Sequence, residues 1–172
     1  GVYSFCMCPG GYVVNASSEE GMLAVNGMSY SGRDSANANS AIVVTVDPSD
    51  FGSADVLAGV AFQRKLEKAA YEASNGKIPV QLFGDFLANR CSTGFGSFMP
   101  QMKGGYDFAN VRAILPVVIG DAIAEGIQAF DRRIKGYGRE DAILSGVESR
   151  TSSPVRMVRD EALESPGMAI QR

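Results

Sequence analysis

The chain contains no histidine and no tryptophan, and only three cysteines, Cys6, Cys8 and Cys91. Without histidine there is no side chain whose unperturbed pKa lies nearest neutrality and no Ser-His or Cys-His nucleophile pair, so hydrolase triads are not expected. Three thiols are too few for a disulfide scaffold. A tetrahedral zinc site built on them would need a carboxylate as fourth ligand, and no metal site is expected. The odd cysteine count suits a reducing compartment, and no charged leader precedes an apolar signal core; the expected location is the cytoplasm. No apolar run approaches the ~20 residues that cross a bilayer, so no membrane partner is expected. With 16 basic against 19 acidic residues and a net charge of -3, the chain lacks the cationic footprint of a nucleic-acid binder. No phosphate-binding loop is present: Gly94-Phe95-Gly96 has two glycines of a dinucleotide fingerprint and precedes no clear helix.

What is there describes a soluble globular chain. Its 172 residues, 45% of them hydrophobic and 20% charged, are enough for one domain with a single core. The expected domain covers 1–159, and a charged tail over 160–172 is expected to be weakly ordered if nothing docks on it. The first residue is not methionine and the sequence opens inside a strand-like run, so the chain is expected to be a piece of a longer protein.

The first third reads as short strands over 2–6, 11–15, 22–26 and 41–46, separated by glycine- and proline-rich turns too short for crossover helices; an antiparallel meander is the simplest assembly. From 54 to 74 the period changes. Ala58, Phe62, Leu66, Ala69 and Ala73 recur at helical spacing, Ser53 is an N-cap candidate, and Asn75-Gly76 gives a left-handed stop. A second helix opens near Pro116 and carries Ile119, Ile123, Ile127, Phe130 and Ile134 on one stripe. A short helix over 81–88 and strands over 142–149 and 155–158 complete the reading. Each long helix has one apolar stripe and needs one surface to cover, which gives an α+β fold: an antiparallel sheet with helices packed on one face.

Cys6-Met7-Cys8-Pro9-Gly10-Gly11 is the most unusual local feature. In an extended strand Cys6 and Cys8 face the same way, either toward a redox cofactor or, as small hydrophobes, into the interior beside a turn. Gly10 and Gly11 can bring the backbone close to a bulky ligand or simply make the turn. Arg33 sits in a loop with Asn37 and Asn39, a cation and neutral donors that suit an anionic or amide-bearing ligand, or a solvated loop whose asparagines cap local backbone. The run Glu148-Ser149-Arg150-Thr151-Ser152-Ser153-Pro154 is equally dense in hydrogen-bonding groups, and a satisfied turn is its plainer explanation.

The strings Phe5-Cys6-Met7-Cys8-Pro9-Gly10-Gly11-Tyr12-Val13-Val14, Asn26-Gly27-Met28-Ser29-Tyr30 with Arg33-Asp34 and Asn37-Ala38-Asn39-Ser40, Gly84-Asp85-Phe86-Leu87, and 146–156 resemble the later part of uncharacterised bacterial FAD-dependent dehydrogenases, over nearly the whole chain. The resemblance implies an inserted substrate or cap domain that covers the flavin, forms one wall of the substrate chamber and is inactive alone. FAD would be held mainly by the parent's own FAD-binding domain, and the tail after 159 would lead to a missing part of it; this piece is expected to retain none. The resemblance implies Cys6 and Cys8 at the flavin edge as catalytic groups. It implies Gly10, Gly11, Glu148, Thr151 and Ser152 near the cofactor, and Arg33, Asn37 and Asn39 on the unknown small-molecule substrate. An excised insert would also expose a partly apolar face on which dimers could form. Two other classes stay open: a binding or interaction module without chemistry, and a thiol redox protein using Cys6 and Cys8.

Overall fold

The structure, a computed structural model, describes residues 1–165. β-branched and aromatic residues between turn formers give the first four strands: β1 (Val2–Cys8), β2 (Gly11–Asn15), β3 (Val25–Ser29) and β4 (Asn39–Val44). They do not form one meander. β1 pairs antiparallel with β4, from Val2 opposite Val44 to Cys8 opposite Asn39, and the polar segment between β3 and β4 is the excursion that makes this long-range pairing possible. β2 pairs antiparallel with β3 and parallel with β6 (Met102–Lys103). A third sheet centres on β5 (Ile78–Leu82), flanked by the parallel β7 (Tyr106–Phe108) and the antiparallel β8 (Ile143–Ser145). The class is α+β, built on three small sheets rather than one.

Helix α1 (Ala58–Ala73) starts later than its periodicity suggests, because Ser53 accepts from the Asp55 amide and Asp55 from the Leu57 amide in a turn ahead of it. Asn75 and Gly76, both at positive φ, end it as the sequence predicts. The short helices α2 (Phe83–Leu87) and α3 (Val111–Ile114) follow β5 and β7, and α4 (Val117–Asp131) begins directly after Pro116. The short helix expected over 81–88 is present but begins two residues later, since Gln81 and Leu82 belong to β5. Residues 155–158 form no strand, for no neighbouring edge pairs with them. Residues 160–164 fold into a local turn around the Asp160 carboxylate; the rest of the expected tail, 166–172, lies outside the described residues.

Two apolar clusters hold the layers together. Leu23, Val25, Ala70, Ile78, Val80, Ile114 and Val147 join β3, α1, β5 and α3, while Phe83, Phe86, Val111, Ala124 and Ile127 join α2, α3 and α4. Helix α4 lies against β1 and β4 so closely that a Cβ at Gly126 would stand 2.6 Å from Val2 Cγ1. Glycine there sets the distance between helix and sheet. Among the described residues no helix is long and apolar enough to cross a membrane.

Candidate functional site

A cleft of about 1130 Å³ opens between the β1–β4 ladder, α4, the start of α1 and the segment from 134 to 154. Its wall is largely aliphatic, with Val13, Ile42, Leu115 and Ile123 among the lining side chains. Cys6, Cys8, Gly11, Asn37, Asn39, Glu148, Thr151 and Ser152 all line it, so eight of the ten site residues named from the sequence meet at one place although they come from three separate stretches of chain. Gly10 and Arg33 do not line it.

The glycine turn explains their absence. Gly10 sits at φ +60, and a Cβ on it would lie 2.2 Å from the Arg33 carbonyl carbon. The missing side chain therefore makes room for the backbone of the 30–34 turn, and Arg33, itself at positive φ, is exposed on that turn. Gly11 makes room for Asn39, whose amide nitrogen would stand 2.4 Å from an added Cβ. Asn39 Nδ2 donates to the carbonyls of Tyr12 and Met28, tying β4 across the β2–β3 pair, while its Oδ1 is buried without a donor. The neighbouring Asn37 donates through Nδ2 to the Met99 carbonyl at 2.7 Å.

The two thiols are not on one face of a continuous strand. The β1–β4 register shifts between Phe5 and Cys8, and Cys6 takes φ 49, a bulge that interrupts side-chain alternation. Cys6 is exposed and Cys8 partly buried, so neither is an interior hydrophobe. A non-glycine residue in this region of backbone space costs about 1–3 kcal/mol and persists only where its surroundings hold it. Here the β1–β4 hydrogen bonds on both sides do so.

Against the β1–β4 pair the Tyr137 hydroxyl bridges Ser4 Oγ at 2.8 Å and Ser40 Oγ at 2.6 Å. Beside it Arg139 binds both carboxylate oxygens of Asp141 and lies over the Phe98 ring at 4.5 Å. Hydrogen bonds from Arg139 and from the Ser97 amide hold the Asp141 carboxyl well below the usual carboxylate range, despite some desolvation. These groups are committed to one another.

The 147–152 side of the cleft is fixed by a buried ion pair that sequence reading missed. Glu67 of α1 is 1% exposed. Arg150 donates to it twice, Nε to Oε1 and Nη2 to Oε2, each at 2.7 Å, and Ser149 Oγ donates to Oε1 at 2.5 Å. Burial alone would push the Glu67 carboxyl up, but the Arg150 and Ser149 hydrogen bonds outweigh it and hold the group below its ordinary value. Arg150 also reaches Glu19 at 2.7 Å, Glu19 in turn pairs with Arg64, and Gln63 Nε2 donates to the Ser149 carbonyl at 2.7 Å. A signal existed: the buried positions of α1 are Ala58, Gly59, Glu67 and Ala70, and Leu66 and Ala69 pack on the same core, so Glu67 lies at the edge of the expected stripe, where a buried carboxylate demands a cationic partner.

Between these anchored residues stands Glu148. Val147 on one side accepts from the Val25 amide, Ser149 and Arg150 on the other bind Glu67, yet the Glu148 carboxyl has no hydrogen bond or ion pair among the described residues. Desolvation by burial pushes it above its ordinary value.

A family model described as "FAD-dependent protein, C-terminal domain-like" matches residues 1–151. The chain is also 55% identical over 167 residues to an uncharacterized protein of Clostridium beijerinckii, an alignment that takes in 96% of this chain and 31% of the relative. The chain therefore spans about a third of the length of that relative.

Proposed function

The chain belongs to this FAD-dependent C-terminal-domain-like family, and from that premise we propose that it is the part of a flavin-dependent dehydrogenase that covers the flavin ring and walls the substrate chamber. The observation that carries the reading is the convergence of Cys6, Cys8, Asn37, Glu148, Thr151 and Ser152 on one aliphatic cleft whose volume suits a ring system with a small substrate against it. The residues fit one half of the cofactor. An aliphatic wall edged by hydroxyl, amide and thiol groups suits the flat isoalloxazine ring, whereas the sequence offers no strand, glycine-rich turn and helix in series to hold a pyrophosphate. FAD would be gripped by the remainder of the parent protein, and this piece alone would turn over nothing.

When bound, the flavin supplies two-electron chemistry. The chain's own residues do the rest. The aliphatic side chains exclude water from the reacting face. Cys6 and Cys8, which line the cleft, would be polarizable neighbours of the ring, and Thr151 and Ser152 would offer it hydroxyl donors. Asn37, whose amide nitrogen is bound to Met99, keeps its carbonyl oxygen for a substrate donor. Asn39 acts one step back, by tying β4 in place. Tyr3 and Met7, which line the cleft from β1 and are more than half exposed, support a surface that the parent's FAD-binding part covers.

Thiol labelling of the full-length parent tests this. Cys6 and Cys8 are expected to react with a maleimide in the flavin-depleted protein and to be protected once FAD is restored, while Cys91 labels equally in both. Equal labelling of all three with and without FAD overturns the reading.

A further inference from the structure

We infer that Glu148 is the proton carrier of the cleft: when the bound flavin is reduced, this carboxylate takes up a proton from solvent, and it returns the proton on reoxidation. The inference rests on the reading that the cleft covers a flavin.

Few other groups of the chain could carry a proton in the cleft. The chain has no histidine. The titratable and charged groups lining the cleft are Tyr3, Cys6 and Cys8 from β1, and Lys135, Tyr137, Arg139 and Asp141 from the segment after α4, together with Glu148. Asp141 is locked to Arg139, and the Tyr137 hydroxyl is shared between two serines. The Glu67, Arg150, Glu19 and Arg64 cluster behind the wall is internally paired. Glu148 is the lining carboxyl with no partner among the described residues.

Its placement is also fixed. Both neighbours are tethered, Val147 through its carbonyl to β3 and Ser149 through its hydroxyl to Glu67, so the backbone that presents Glu148 is held while the carboxyl stays uncommitted. A group held by its flanks and free at its tip keeps a constant position against whatever fills the cleft. Its half-burial already disfavours the charged form. Negative charge added to a ring in the same low-dielectric space disfavours it further, so the carboxyl binds a proton more tightly when the ring is reduced. In the balance, two electrons arrive from a hydride-donating substrate or a chemical reductant, and the extra proton comes from water and ends on a Glu148 carboxylate oxygen. No bond of the protein is broken.

The test is the flavin midpoint potential of the full-length, FAD-loaded parent, measured across pH with a chemical reductant and mediators, with no substrate needed. The wild type is expected to show a segment in which the potential falls more steeply with pH, by one additional proton per two electrons, opening above the ordinary carboxylate range. Glu148→Gln is expected to remove that segment and Glu148→Asp to keep it, shifted in pH. FAD content of each variant is read from its flavin absorbance, and Glu148→Asp, which keeps a carboxyl at the position, serves as the comparison in loaded protein. A wild-type curve without the steeper segment, or one that persists in Glu148→Gln, overturns the inference. If Cys6 and Cys8 are nonetheless protected by FAD, the covering role stands and Glu148 alone has failed; if they are not, the covering role has failed first.

Discussion

Removal of Arg150 gives the sharpest energetic prediction. Arg150→Ala deletes two of the three hydrogen bonds on a carboxylate that is 1% exposed and leaves a buried charge nearly unaccompanied. Breaking such a pair from one side costs about 3–5 kcal/mol. The protein can limit the loss by protonating Glu67, which at pH 7 costs about 3.7 kcal/mol for a reference pKa of about 4.3 at 1.36 kcal/mol per unit. Arg150 is 40% exposed, so its side of the pair is solvent-screened and the lower figure is the better guide. About 3 kcal/mol corresponds to roughly a hundredfold faster exchange or more wherever amides open by local unfolding of this unit.

Native-state hydrogen exchange on the full-length parent reads this in α1 and in the segment 143–150. The pH dependence adds a second arm. In the wild type the folded-state pKa of Glu67 is lowered, so its contribution is complete above the unfolded value of about 4.3 and disappears as pH falls through the folded one. In Arg150→Ala burial dominates and raises the folded value, so the penalty is present above it and relieved as pH falls through it. The gap between the proteins is therefore widest near neutrality and closes in acid. Glu67→Leu combined with Arg150→Met is expected to exchange close to wild type, because an apolar pair of similar volume carries no unpaired charge. Exchange of Arg150→Ala within threefold of wild type at neutral pH, or a gap that widens in acid, refutes the reasoning.

Gly126→Ala is expected to cost about 1–3 kcal/mol, because its methyl would stand 2.6 Å from Val2 Cγ1, and Val2→Ala in the same protein is expected to restore most of the loss; thermal unfolding of the pair of variants checks it. Asn39→Ala is expected to cost about 1–3 kcal/mol by leaving the Tyr12 and Met28 carbonyls without their side-chain donor, visible as faster exchange in β2 and β3; no change would show that water replaces the amide freely. Gly10→Ala adds a Cβ into the Arg33 backbone at a left-handed position, and faster proteolysis within 28–38 is the expected sign.

Local pattern carried much of the fold and little of its assembly. The helices α1 and α4 were legible because their stripes run for several turns, and the left-handed stop at Asn75-Gly76 is chemistry a sequence states outright. The first four strands were legible as β-branched and aromatic runs between turn formers, with β3 displaced to Val25–Ser29 and β4 to Asn39–Val44. Their partners were not, since an alternation says which face is buried and nothing about which distant strand lies beside it. β6 and β7 have two and three residues, too few for any period, and β5 is buried at four of its five positions, a run that looks alike in a strand and in an interior helix. In the site, the odd strings at Cys6–Gly11 and at 148–152 were legible as strings. The assignment of Gly10 to ligand contact could not be checked without knowing that the 30–34 turn comes back over it. Glu67 was hidden because a charged letter in a helix is usually written off to solvent.

That buried carboxylate also sets an order of events. Arg150 follows Glu67 by 83 residues, so on a ribosome adding 5–20 residues each second the acid waits roughly 4 to 17 s for its arginine. Until then α1 cannot settle onto Leu23 and Ile78 without desolvating a bare charge. The first core of the nascent chain is thereby weakened by about 3 kcal/mol until the stretch that completes the cleft wall has been made.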